Sequence, residues 1–75
     1  MQLAPAQRLE LDSPCDQVVT VEAGVLYVVL ADDEVALTPG DSLRVASGEP
    51  ARAWNAGDEP AQVVVRYEQA LRLAA

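Results

Sequence analysis

Leu9 and Leu11 alternate with Arg8, Glu10 and Asp12, the period-two pattern of a strand with one buried and one wet face. Leu43 and Val45 alternate with Ser42 and Arg44 in the same way. Two segments break the rule: residues 25–31 and 63–65 are apolar at every position except the amphipathic Tyr27. A strand apolar on both sides is covered on both sides. Between the apolar segments, turn signals recur: Asp12-Ser13-Pro14, Glu22-Ala23-Gly24, Asp32-Asp33, Thr38-Pro39-Gly40-Asp41, Ser47-Gly48-Glu49-Pro50 and Asn55-Ala56-Gly57-Asp58. Short strands with regular turns predict an all-β sandwich or barrel of about seven or eight strands. Residues 67–74 read two ways. Tyr67, Leu71 and Ala74 share a helical face, while Tyr67, Gln69, Leu71 and Leu73 form one face of a strand continuing from Val65, the reading we favour.

Length bears on how these faces are covered. A chain of 75 residues is expected to form a single domain, 1–75. A chain this short buries roughly 60% of its unfolded surface and is marginal alone. The inner side of a doubly apolar strand meets the core, and a second copy of the chain is the simplest cover for the outer side. The expectation is a homodimer; a terminal segment folding back over that face is the alternative.

Charge and composition remove several function classes. Five Arg, no Lys, no His and 12 acidic residues leave a net charge of −7. Without His there is no imidazole for metal binding, general base catalysis or pH switching. An acidic chain lacks the basic patches that nucleic acids and anionic membranes require, so no nucleic-acid and no membrane partner is expected. Cys15 stands alone, which excludes an intrachain disulfide and a cysteine-based zinc cluster. No apolar run approaches the ~18 residues that span a bilayer. Met1-Gln2-Leu3-Ala4-Pro5 has no basic or apolar signal region, so a cytoplasmic location is expected. Arginine without lysine, with abundant Ala and Val, suggests the codon bias of a GC-rich bacterial genome.

Residues 40–55 carry a more specific signal. Gly40, Gly48 and Asn55 fall on the fixed positions of the pattern G-x5-P-x-G-x2-H-x3-N, with Ala46 at its proline and Ala51 at its histidine. The residues retained make physical sense. Gly40 lies in a Pro39-Gly40-Asp41 turn that wants positive φ. Asn55 opens a turn in which its side chain can bond the backbone two residues on. This segment resembles the second motif of the cupin family. The first motif, G-x5-H-x-H-x3–4-E-x6-G, then ends at Gly24 and places Gln17 at its glutamate. A four-residue spacer puts Glu10 and Asp12 at the two histidine positions; a three-residue spacer puts Leu11 and Ser13 there. The family's ligand positions point inward, and two unpaired carboxylates in so small a core would cost several kcal/mol. We therefore take Leu11, Ser13, Gln17 and Ala51 as the four equivalents. The resemblance covers residues 9–67 and implies a minimal cupin-like jelly-roll barrel, a double-stranded β-helix. Family members typically hold a divalent transition metal at these positions; none of the four residues here suits one. The resemblance thus implies a metal-free member with no cofactor.

Other candidates are weighed one by one. Tyr27, Gln17 and Ser13 are polar groups available to line a pocket at the barrel mouth. If Ala51 and Ala53 point inward, Arg52 and Trp54 point out, a composition common at interface hot spots. Val64, central in the second apolar run, joins them as an interface candidate; for Trp54, cover by a chain terminus is the alternative. Asp32-Asp33-Glu34 and Asp58-Glu59 read as solvated turns, and Cys15 as an inert thiol. The expected function is a metal-free module that binds a small molecule or serves protein interaction and oligomerisation rather than catalysis. Two alternatives stand beside it: an atypical enzyme with Glu10, Asp12 and Gln17 as metal ligands, and a sensor domain acting with a separate effector.

Overall fold

The computed structural model describes residues 1–68, and within them the chain is all β. Eight strands follow in order: β1 (Gln2–Leu3), β2 (Arg8–Glu10), β3 (Asp16–Ala23), β4 (Leu26–Val29), β5 (Glu34–Leu37), β6 (Ser42–Val45), β7 (Arg52–Asn55) and β8 (Ala61–Glu68). They form two antiparallel four-stranded sheets, one ordered β1-β8-β3-β6 and the other β2-β7-β4-β5. Each sheet mixes strands from both halves of the chain. This is the interleaved topology of a cupin-like jelly roll; the turn rhythm predicts its all-β class, and the motif resemblance implies the jelly roll itself.

The core lies between the sheets. Val19, Val21, Val45 and Val63 from the first sheet meet Leu26, Val28, Ala53 and Leu37 from the second, with Leu3, Leu11, Ala51 and Ala61 at the margins. Alternation places them there. In β3, Gln17, Val19 and Val21 are buried while Val18 and Thr20 are half-buried. In β7, Ala53 and Asn55 are buried while Arg52 is exposed and Trp54 half-buried. Ala51, Ala53 and Ala61 contribute small side chains to this core, whose buried apolar residues are all aliphatic.

The doubly apolar run 25–31 resolves into a strand and a turn. Leu26 and Val28 face the core, and Tyr27 and Val29 are half-buried on the outer side. Leu30 donates its N–H to the Asp33 carbonyl at 2.8 Å and closes the β4–β5 hairpin at the acidic tip. Gly40 sits at φ 94° in the turn before β6. Gly24 has a second reason to be glycine. Its φ is 84°, and a Cβ there would lie 2.8 Å from the Ala61 Cα. The segment after Val65 stays a strand through Glu68; the remainder of the expected strand face, from Gln69, lies outside the described residues. No helix among the described residues is long and apolar enough to cross a membrane.

Candidate functional site

Three of the four positions taken as ligand equivalents meet at one end of the core. Leu11 follows β2, Ala51 precedes β7 and Gln17 is the first inward residue of β3; each is 2% exposed. Leu11 donates its N–H to the Ala51 carbonyl at 3.1 Å, and Gln17 donates its side-chain amide to the Leu11 carbonyl. Gln17 therefore links the two sheets, and its amide is already engaged. Ser13 does not join them. It lies half-buried in the β2–β3 loop, and its Oγ accepts the Cys15 N–H at 3.1 Å. Divalent transition metals take imidazole nitrogen, thiolate or carboxylate. A leucine, an alanine, a bonded amide and a bonded hydroxyl do not fit such an ion.

The alternative carboxylate set fails on geometry as well. Glu10 is exposed on the outer side of β2. Asp12 is exposed and accepts the Ala51 N–H at 3.3 Å, whereas Gln17 is buried between the sheets. One-residue alternation separates Glu10 from the core side of its own strand, so the three groups share no cavity. Among the described residues, no group of three or more His, Cys, Asp or Glu side chains is placed to hold a metal.

Tyr27 departs from its expected place. It belongs to the outer face of β4, not the barrel mouth, because Leu26 and Val28 take the inward positions. There it packs on Trp54 with ring centroids 5.0 Å apart and planes tilted by 46°. Its hydroxyl donates to the Glu34 carboxylate, which holds the phenol pKa above its ordinary value of 10.0 because the proton is shared with a negative neighbour. The strand register sets this outer face in two rows. Arg8, Trp54, Tyr27 and Ala36 form one, and Glu10, Arg52, Val29 and Glu34 the other. A shallow cleft of about 410 Å³ runs along it, walled by Arg8, Glu10, Val29, Arg52 and Trp54.

The interface candidates do not share a surface. Trp54 and Arg52 stand on this outer face, while Val64 is half-buried on the outer side of β8, in the opposite sheet. That second outer face carries a cluster the sequence does not announce. Arg44 binds Asp16 at 2.8 Å and Glu68 at 3.1 Å, and Asp16 also accepts the Ser47 N–H at 2.7 Å. The Ser47 backbone bond and the Arg44 guanidinium hold the Asp16 carboxyl below its ordinary range. Asp16 and Arg44 are 28 residues apart, so only the β3–β6 pairing brings them together.

Comparison with known proteins agrees with this geometry. The family model for the cupin domain matches residues 1–67. The fold is similar to a Cupin 2 conserved barrel domain protein from Salinispora arenicola, at TM-score 0.82 and 18% identity over 92% of this chain and 59% of that one. It is similar to the Cupin_2 domain of an XRE family transcriptional regulator from Enterobacter cloacae, at TM-score 0.75 and 22% identity over 85% and 70%. It is also similar to a sugar phosphate isomerase of the cupin superfamily from Silicibacter pomeroyi, at TM-score 0.75 and 28% identity over 85% of this chain and 44% of that one. The chain thus spans less than two thirds of the first and third of these. No curated protein matches it.

Proposed function

The chain belongs to the cupin domain family, and we propose that it acts as a metal-free module for protein interaction and self-association rather than as a catalyst. The observation that carries this reading is the exchange of polar and apolar character between inside and outside. The inward positions hold Leu11, Ala51, Val19, Val28 and Ala53, with the Gln17 amide bonded, while the aromatic pair Trp54 and Tyr27 stands on an outer face. Four clefts lined by described residues lie on that outer face and at the loop ends. A ligand seated between the sheets would have to displace side chains that are 0–2% exposed. The sugar phosphate isomerase and the transcriptional regulator lend this chain a fold and no assigned activity.

The test pairs two measurements. Protein purified without chelator is expected to carry no stoichiometric transition metal by elemental analysis; one metal per chain would overturn the reading. Sedimentation velocity is expected to show a dimer at micromolar concentration, with Trp54→Ala shifting the population toward monomer. A monomer at all accessible concentrations would remove the self-association half.

A further inference from the structure

We propose that the outer face of the β2-β7-β4-β5 sheet is the contact between two copies of this chain, related by a two-fold axis that crosses the strands between Arg8 and Glu10. This rests on the self-association reading above and adds its surface and register.

The argument starts from charge. The chain carries −7, so two copies repel over most of their surface. On this face the charges of Arg8, Arg52, Glu10 and Glu34 cancel. The aromatic pair and Val29 lie among them, half-buried, and give the patch an apolar centre.

Register then selects the axis. A two-fold interface is self-complementary: if one residue meets a second, the second meets the first. The two rows are related by a step of two residues, with Leu9, Ala53 and Val28 pointing inward along the line between them. An axis along that line lays one row of one protomer over the other row of its partner. Arg8 then faces Glu10, Trp54 faces Arg52 and Tyr27 faces Val29. These are an ion pair, a cation over an indole and an apolar contact, and each occurs twice. Ala36 faces Glu34, which leaves that carboxylate free of a like charge. The other in-plane axis, parallel to the strands, reverses strand order within each row. It sets Glu10 over Glu34 and Arg8 over Ala36, a like-charge contact with no compensating pair. Charge therefore favours the first arrangement over the second.

The experiment uses the full chain and two charge reversals at exposed positions. Arg8→Glu sets a carboxylate against Glu10 of the other copy, and Glu10→Arg sets a guanidinium against Arg8 of the other copy. Each single variant is expected to weaken self-association by about tenfold or more, while an equimolar mixture of the two recovers to within about threefold of the original chain. Recovery on mixing reads contacts between chains, because only across the interface does each variant meet the opposite charge of the other. Circular dichroism of each variant checks that the strands persist. If the original chain is dimeric and both reversals stay dimeric, this face is not the interface and self-association stands. If both become monomeric and the mixture stays monomeric, the register is wrong. An original chain that is monomeric at about 100 µM takes down both this inference and the reading beneath it.

Discussion

Asn55 shows how much one side chain can hold together in a small core. It is 1% exposed and makes three bonds: its Oδ1 accepts the Gly57 N–H at 2.9 Å, and its Nδ2 donates to the Glu59 carbonyl at 2.6 Å and the Leu3 carbonyl at 3.1 Å. The first bond is legible in the sequence as a turn-opening Asn. The bond to Leu3 is not, because it spans 52 positions. Asn55→Ala is expected to cost about 2–4 kcal/mol in urea denaturation, a large part of the stability of a domain this size. Two ionisable groups make pH-dependent predictions. The Asp16 carboxyl is held low, so its contribution is present above the ordinary value of 3.8 and is lost as pH falls through the folded value. Asp16→Asn is expected to flatten the acid limb of the stability curve below about pH 4. The Tyr27 phenol is held high, so its contribution is present below 10.0 and is lost as pH rises through the folded value. In a Tyr67→Phe background, the tyrosinate absorbance is expected to rise above pH 10.0, and Glu34→Gln to bring that midpoint down.

At the scale of elements, alternation is the reliable signal. It places Leu9, Leu11, Ala51 and Ala53 toward the core and Arg52 and Trp54 away from it, as observed. It fails where both parities are apolar. The run 25–31 has no polar residue to mark its outer face apart from Tyr27, and a tyrosine serves either side. The sequence therefore allows Tyr27 at the barrel mouth, and the fold sets it outside beside Trp54. The β2–β3 loop misleads in a different way: a motif spacing counted through Ser13 ignores where the strand ends. β2 stops at Glu10, and in the loop beyond it the Ser13 hydroxyl is taken up by the Cys15 N–H. The turns before β4 and β6 separate two roles of glycine. Gly40→Ala meets nothing within 4 Å and is expected to cost about 1 kcal/mol for its positive φ. Gly24→Ala adds the collision with Ala61 and is expected to cost at least about 2 kcal/mol more, read from the same denaturation midpoints.

For the whole molecule, the quantity that matters is the ratio of core to surface. Among the described residues twelve buried apolar side chains make the core, and Ala51, Ala53 and Ala61 contribute little volume to it. A dimer adds buried area and links folding to association. The melting temperature is therefore expected to rise with protein concentration across a hundredfold dilution series, and a constant value would indicate that protomers fold alone. The charge of −7 works against any such contact over most of the surface. On the face proposed for self-association, Arg8 and Arg52 balance Glu10 and Glu34, so that repulsion is locally removed there.

The all-β class, the turn positions, the inward parity of most strands and the lack of imidazole donors are legible in the sequence, because each depends on residue type and local spacing. Tertiary structure decided the rest. Which strands pair is a matter of contacts far apart in the chain: it joined Arg44 to Asp16 and Glu68, seated the Gln17 amide on Leu11 and put Val64 on the face opposite Trp54. It also set Arg8 and Glu10 beside Trp54 and Arg52 in two rows, a surface pattern that exists only once β2, β7 and β4 are aligned in register.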